Sequence, residues 1–146
     1  MDTSTQSGDG AVSMRILIAE DDAMNRDMLM RRMQWEGFTI LIAADGIEAV
    51  HVARAQRPDL ILLDMGLPKR SGWEVAAQLK QDDATRNIPI IALSAYVLPE
   101  DQVRGLEAGC DAYEVKPIEF DRLIRSIHHL LAARSRGNAG SDTDNV

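Results

Sequence analysis

The chain is short of three things, and each shortage removes a class of protein. It has one cysteine, Cys110, so no internal disulfide can form, and a reducing cytoplasm fits. Its apolar runs are no longer than a strand, which excludes a membrane-spanning helix. It lacks basic excess: 16 Lys and Arg against 23 Asp and Glu leave a net charge of -7. That balance speaks against a nucleic-acid surface, which would present a basic stripe. The polar, glycine-containing first residues carry no signal-peptide core, which argues against secretion. What remains is ordinary: 146 residues, 45% hydrophobic and 27% charged, enough for one domain with a proper core and hardly for two.

Residues 1–13 and 134–146 are rich in Ser, Gly, Asp, Thr and Asn, show no apolar periodicity, and are read as disordered segments flanking a folded domain over 14–133. Within that domain short apolar runs alternate with longer amphipathic stretches. The runs fall at 16–19, 39–43, 60–63, 88–93 and 112–115, and they are mostly apolar at every position. Strands read this way when both faces are covered, as in a parallel sheet. The last helical stretch places Phe120, Leu123, Ile124, Ile127 and Leu131 on one face. Ile47, Val50 and Ala53 are expected to do the same for the second helix, and Val75, Ala76 and Leu79 for the third. The first, over 23–36, has a broad face of Met24, Met28, Leu29 and Met33 that Arg32 interrupts. Gly37 and Gly109 are helix stops, and Pro58-Asp59 precedes the third strand. Five strand–helix repeats imply a doubly wound α/β fold with helices on both faces of the sheet.

In such folds ligands bind beyond the carboxyl ends of the strands. Asp21, Asp64, Ser94 and Lys116 all sit at or just past those ends. Taken singly, each has a plain reading. Acidic clusters are common in solvated loops, Ser94 is a helix cap, and Lys116 before a proline is a surface lysine. Taken together, one per strand end, they reverse that reading. Two carboxylates about 4 Å apart repel by roughly 4 kcal/mol at an effective dielectric of 20, so a chain that gathers them is built to hold a cation. Magnesium prefers oxygen ligands and keeps several waters. Asp21 and Asp64 could each give a carboxylate oxygen and Gly66 its carbonyl, with Glu20 acting through a water. Asp64 then becomes a nucleophile for a phosphoryl group. Lys116 pairs with a phosphoryl oxygen, the Ser94 hydroxyl donates to another, and the small Ala95 leaves room for the group. Tyr96 is bulky enough to shield the product from water, and with Gly66 it is expected to set the dephosphorylation rate.

The segments Ile16-Leu17-Ile18-Ala19-Glu20-Asp21-Asp22, Leu63-Asp64-Met65-Gly66-Leu67-Pro68 with Ser71-Gly72, Ala92-Leu93-Ser94-Ala95 and Tyr113-Glu114-Val115-Lys116-Pro117 carry a resemblance. As a set they resemble the receiver domain of two-component response regulators, over about 14–133. The resemblance implies a flavodoxin-like (βα)5 fold with strand order 2-1-3-4-5. It also implies phosphorylation of Asp64 by a histidine kinase or histidine phosphotransfer protein with bound Mg2+ or Mn2+. It implies a cis Lys116–Pro117 bond, a switch through Ser94 and Tyr113, and a readout face on the fourth helix, fifth strand and fifth helix. Glu20 stands where the family more often has Asp, and Ser94 where it more often has Thr; neither removes a needed donor or acceptor. A cytoplasmic, single-domain signalling protein rather than an enzyme is expected, acting without nucleic acid or membrane.

Three alternatives stand beside it. The chain could be a receiver excised from a hybrid histidine kinase. An aspartyl-nucleophile phosphatase would want a second Asp two residues after the nucleophile, where Gly66 stands. A degenerate receiver would have lost an acid, Lys116 or Asp64, and none is lost. The remaining conspicuous residues have structural readings. Cys110 packs at the start of the fifth strand, Trp35 and Trp73 are partly covered surface aromatics, and the methionines fill core gaps. His51, His128 and His129 are too scattered to hold a metal.

Overall fold

The computed structural model describes residues 13–95, 100, 103 and 108–144, those past 134 by backbone alone. Five parallel strands, β1 (Arg15–Ala19), β2 (Thr39–Ala43), β3 (Leu60–Asp64), β4 (Ile90–Ser94) and β5 (Ala112–Val115), lie in the order β2-β1-β3-β4-β5. The connecting helices are α1 (Ala23–Trp35), α2 (Gly46–Gln56) and α3 (Gly72–Gln81), and a C-terminal helix spans Phe120–Asp144. The helical stretch expected before Gly109 lies mostly outside the described residues. Gly109 itself has φ 106, the left-handed conformation a helix stop requires.

The strands are apolar at successive positions because each side of the sheet has its own core. Leu17, Ala19, Ile61, Leu63, Ile90 and Ala92 point to the layer of α2 and α3. Ile16, Ile18, Leu60, Leu62, Ile91 and Leu93 point to the layer of α1 and the C-terminal helix. Each fully buried Leu or Ile contributes about 1.5–3 kcal/mol relative to exposure, so this double burial is what holds strand order and register. Edge strand β2 departs from the pattern: only Ala43 is buried, because its outer side has no neighbour.

Local signals agree. Asp22 caps α1 by accepting from the Met24 and Asn25 amides. Ser71 and Glu74 form a reciprocal capping box at α3. Gly37, at φ 99, ends α1 while the Phe38 amide turns back to Met33 O at 3.1 Å. At the opposite pole Arg15 donates to the carbonyls of Gln56 and of Arg57, the left-handed residue that caps α2 at its C-terminal end. Arg134 donates to Asp59 O at 2.8 Å, tying the C-terminal helix to the entrance of β3.

Four expectations need correction. Ile47 is exposed; the buried stripe of α2 is Gly46, Ala49, Val50 and Ala53. At about 100° per residue Ile47 is carried round toward solvent. The methionines are not all core fillers: Met14, Met24 and Met28 are exposed, whereas Met33 and Met65 are buried. Trp35 is 83% exposed rather than partly covered. The C-terminal helix continues through Asp144, past the boundary drawn at Ala133. Leu123, Ile124, Ile127 and Leu131 anchor its first half, and once nucleated a helix adds one backbone bond per residue with no proline to stop it. Residues 1–12, 145 and 146 of the segments read as disordered lie outside the described residues. Arg32, which interrupts the apolar face of α1, is itself engaged. It bonds Glu36 and Asp121 at 3.4 and 3.2 Å and lies over the Phe120 ring at 5.4 Å, joining α1 to the C-terminal helix.

Candidate functional site

Parallel register brings the strand ends together. Ala19 pairs with Leu63, so the next residues, Glu20 and Asp64, emerge side by side. Asp64 pairs with Leu93 and Ser94 with Val115, which sets Ser94 beside Asp64 and Lys116 one step beyond. The Lys116 amide bonds Ser94 O at 2.8 Å, and the Lys116–Pro117 bond is cis, as the resemblance implied.

Lys116 Nζ reaches back over the strand ends to Glu20 Oε1 at 3.0 Å and Asp64 Oδ2 at 3.2 Å. Glu20 is almost completely buried and Asp64 is 7% exposed, whereas Asp21 faces solvent. One oxygen from each of the three carboxylates lies within 4.8 Å of the others. Desolvation lifts the Glu20 carboxyl above its ordinary range, against the Asp22 amide and Lys116, which both favour its charged form. Desolvation pulls the Lys116 ammonium down, but the hydrogen bond to Glu20 and the charges of Asp64 and Glu20 outweigh it and hold it above the usual lysine value.

Glu20 and Asp64 are tied further by backbone amides. Glu20 Oε2 accepts from the Asp22 amide at 3.0 Å, and the Glu20 amide donates to Ala43 O at 3.0 Å. Gly66 N–H donates to Asp64 Oδ1 at 3.0 Å. A Cβ on Gly66 would stand 3.7 Å from that oxygen, so glycine keeps the approach to Asp64 open. The loop after β3 is bolted to α2: the Gly46 amide donates to Pro68 O at 3.1 Å and Lys69 pairs with Asp45 at 3.3 Å. Beside the site a cavity of about 200 Å³ is lined by Glu20, Asn25, Met28, Lys116, Ile118 and Phe120.

Of the residues singled out from sequence, Glu20, Asp21, Asp64, Gly66, Ser94 and Lys116 converge on one corner. Tyr113 is half-buried against the α2–α3 side of the core, where it pairs with Ala92. Tyr96 lies outside the described residues. Sequence reading missed Arg26, whose Nη1 donates to Glu20 O at 2.9 Å and Asp21 O at 3.4 Å. Its signal was spacing alone: one turn after the Asp22 cap, an α1 side chain can fold back over the acidic loop. Cys110 is buried, as expected, and desolvation pushes its thiol up to about 11, so it is no nucleophile. Among the described residues the acid triad is the only group of metal-ligating side chains, and the histidines take no part in it.

All-oxygen donors of this kind suit magnesium or manganese and are poor for soft metals. Three acids against one lysine also leave the corner with excess negative charge, which a divalent cation would offset. The donor set therefore fits the ion.

Comparison with known proteins agrees. The response regulator receiver domain family matches residues 16–128, and the chain belongs to it. It is 40% identical over 116 residues to the polar-differentiation response regulator DivK of Brucella anthropi, covering 80% of this chain and 94% of that protein. DivK of Brucella ovis is 38% identical over the same share. Among solved structures, a CheY-like receiver protein from Methanospirillum hungatei superposes with a TM-score of 0.81 at 28% identity, covering 86% of this chain and 99% of that one. The receiver domain of a Pseudomonas aeruginosa sensor histidine kinase, with a magnesium ion coordinated in its active-site cleft, gives 0.78 at 32% identity over 83% and 99%. The protein is thus a receiver of two-component signalling, and its family is one of signalling domains rather than conventional enzymes.

Proposed function

We propose that Asp64 is the phosphoryl acceptor and that the chain acts as a DivK-like single-domain regulator, taking the group from a phosphohistidine on a histidine kinase or histidine phosphotransfer protein. The observation that carries this is the Lys116 ammonium bridging Glu20 and Asp64 beside Asp21. Asp64 attacks phosphorus through a carboxylate oxygen; the P–N bond breaks, its electron pair stays on the donor imidazole, and an acyl phosphate forms. Gly66 N–H holds one Asp64 oxygen and so aims the other. Lys116, drawn between two carboxylates beforehand, is placed to take a phosphoryl oxygen, with Ser94 as a second donor. Glu20, Asp21, Asp64 and the Gly66 carbonyl would hold Mg2+ or Mn2+, which supplies charge neutralisation for the transferring oxygens.

The exposed Met24 and Met28 and the adjacent cavity flank this corner and suit docking of the donor protein. Movement of Ser94 toward the phosphoryl group, followed by Tyr113, would shift the population of the downstream-binding face. Gly66, and Tyr96 by shielding, would set the lifetime of the acyl phosphate. No described helix is long and apolar enough to cross a membrane, which is compatible with work in the cytoplasm.

The test is intact mass after incubation with a small phosphodonor and magnesium. The wild type should gain one phosphoryl group and Asp64→Asn none; a gain on Asp64→Asn would overturn the assignment. The hybrid-kinase receiver is the second reading, favoured by the 32% identity to such a domain.

A further inference from the structure

We infer that Arg26 is a positioning residue that sets divalent-cation affinity by aiming the acidic loop, without itself touching ion or phosphoryl group. The inference rests on the cation-binding reading of the acid triad. Arg26 is half-buried, and its guanidinium donates to two consecutive peptide carbonyls, Glu20 O at 2.9 Å and Asp21 O at 3.4 Å. These two bonds fix the peptide planes on either side of the Asp21 Cα, and with them the direction of its side chain.

Asp21 needs such help. Glu20 is held by the Asp22 amide, by Lys116 and by the sheet through Ala43. Asp64 is held by Gly66 N–H and Lys116. The Asp21 carboxylate is exposed, and the residue is tethered through its backbone carbonyl, which accepts from Arg26. Arg26 in turn is fixed at its own root, its amide donating to Asp22 O at 2.8 Å within the capped first turn of α1. Both bonds leave one nitrogen, Nη1, whose place is set by the rigid planar guanidinium; a lysine ammonium ends one bond nearer the backbone, on a flexible stem, and does not take that place.

Charge alone makes the opposite prediction. A fixed cation beside the triad repels an incoming divalent ion, so its removal should tighten binding. The two effects therefore differ in sign, and one titration separates them.

The experiment is isothermal titration calorimetry of magnesium chloride into the full chain, with circular dichroism giving the folded fraction and apo thermal midpoint of each variant. Arg26→Lys and Arg26→Gln should each weaken magnesium binding by about tenfold or more, the usual loss when an orienting partner of a ligand is removed. Arg31→Gln, which removes the same charge from an exposed Arg paired with Asp27 on the same helix, should leave affinity unchanged. A merely structural role would lower the apo midpoint and leave the dissociation constant per folded molecule untouched. Wild-type affinity in Arg26→Lys, or tighter binding in Arg26→Gln, would overturn the inference while leaving the cation site standing. Absence of magnesium binding in the wild type would sink the cation reading itself.

Discussion

Lys116 shows how much one side chain carries in this protein. Its ammonium is the counter-charge of Glu20, which has almost no access to water. Removing a partner from a buried carboxylate costs more than the pair contributes, because the orphaned charge keeps its desolvation penalty. Lys116→Ala should therefore lose about 2 kcal/mol of unfolding free energy at pH 7 without added magnesium, measured by urea denaturation. The loss should shrink with acid. Glu20 titrates above its unfolded value near 4.5 even with Lys116 present, and higher still without it. A raised folded value means that the native state binds the proton more tightly. The resulting stability is complete below the unfolded value and is lost as pH rises through the folded one. Wild type and variant should accordingly converge near pH 4. An equal gap at pH 7 and pH 4 would show that Glu20 is not the orphaned group.

Elements position the site through close approach. A Cβ on Gly72, the first residue of α3, would lie 2.6 Å from Met65 Cα and 2.7 Å from Asp64 O. Those atoms are backbone and cannot yield cheaply, so Gly72→Ala should cost about 1–3 kcal/mol. It should also displace Asp64 and slow its phosphorylation by a small phosphodonor, followed by mass against time; an unchanged rate would show that α3 does not brace Asp64. At this scale the sequence was legible where two signals agreed. Strand runs covered on both sides and the Gly37 stop each named their elements correctly. It misled where one periodic signal stood alone. Ile47 fits a helical stripe as well as Ala49 does, and only the position of α3 chooses between them. That Glu20, Asp64, Ser94 and Lys116 meet at one corner was readable because each ends or follows an apolar run. Arg26 and Arg32 were not, because their partners are a loop backbone and a distant helix, which local spacing does not reveal.

For the whole molecule, the acid corner is a store of repulsion that the fold tolerates. A ligand that binds the native chain and not the unfolded one stabilises it by mass action, about 2.7 kcal/mol at 100 times its dissociation constant. Saturating magnesium should raise the thermal midpoint by roughly 5–10 °C, and Asp64→Asn should show a smaller rise, both read by scanning calorimetry. An equal rise in the two proteins would move the ion elsewhere on a chain of net charge -7. The strand order and both cores belong to this scale; the order came with the receiver resemblance, and the two-sided cores followed from alternation. β2 did not, because its sequence reads like an inner strand and its edge position is decided by the order of the others.

The clamp of Arg15, Asp59 and Arg134 has a practical corollary. It gathers the first strand's start and the middle of the last helix at the pole farthest from Lys116. A molecule tethered to a sensor chip through a tag beside either of those points would stand with its reactive crown turned to the flow, ready for an incoming partner.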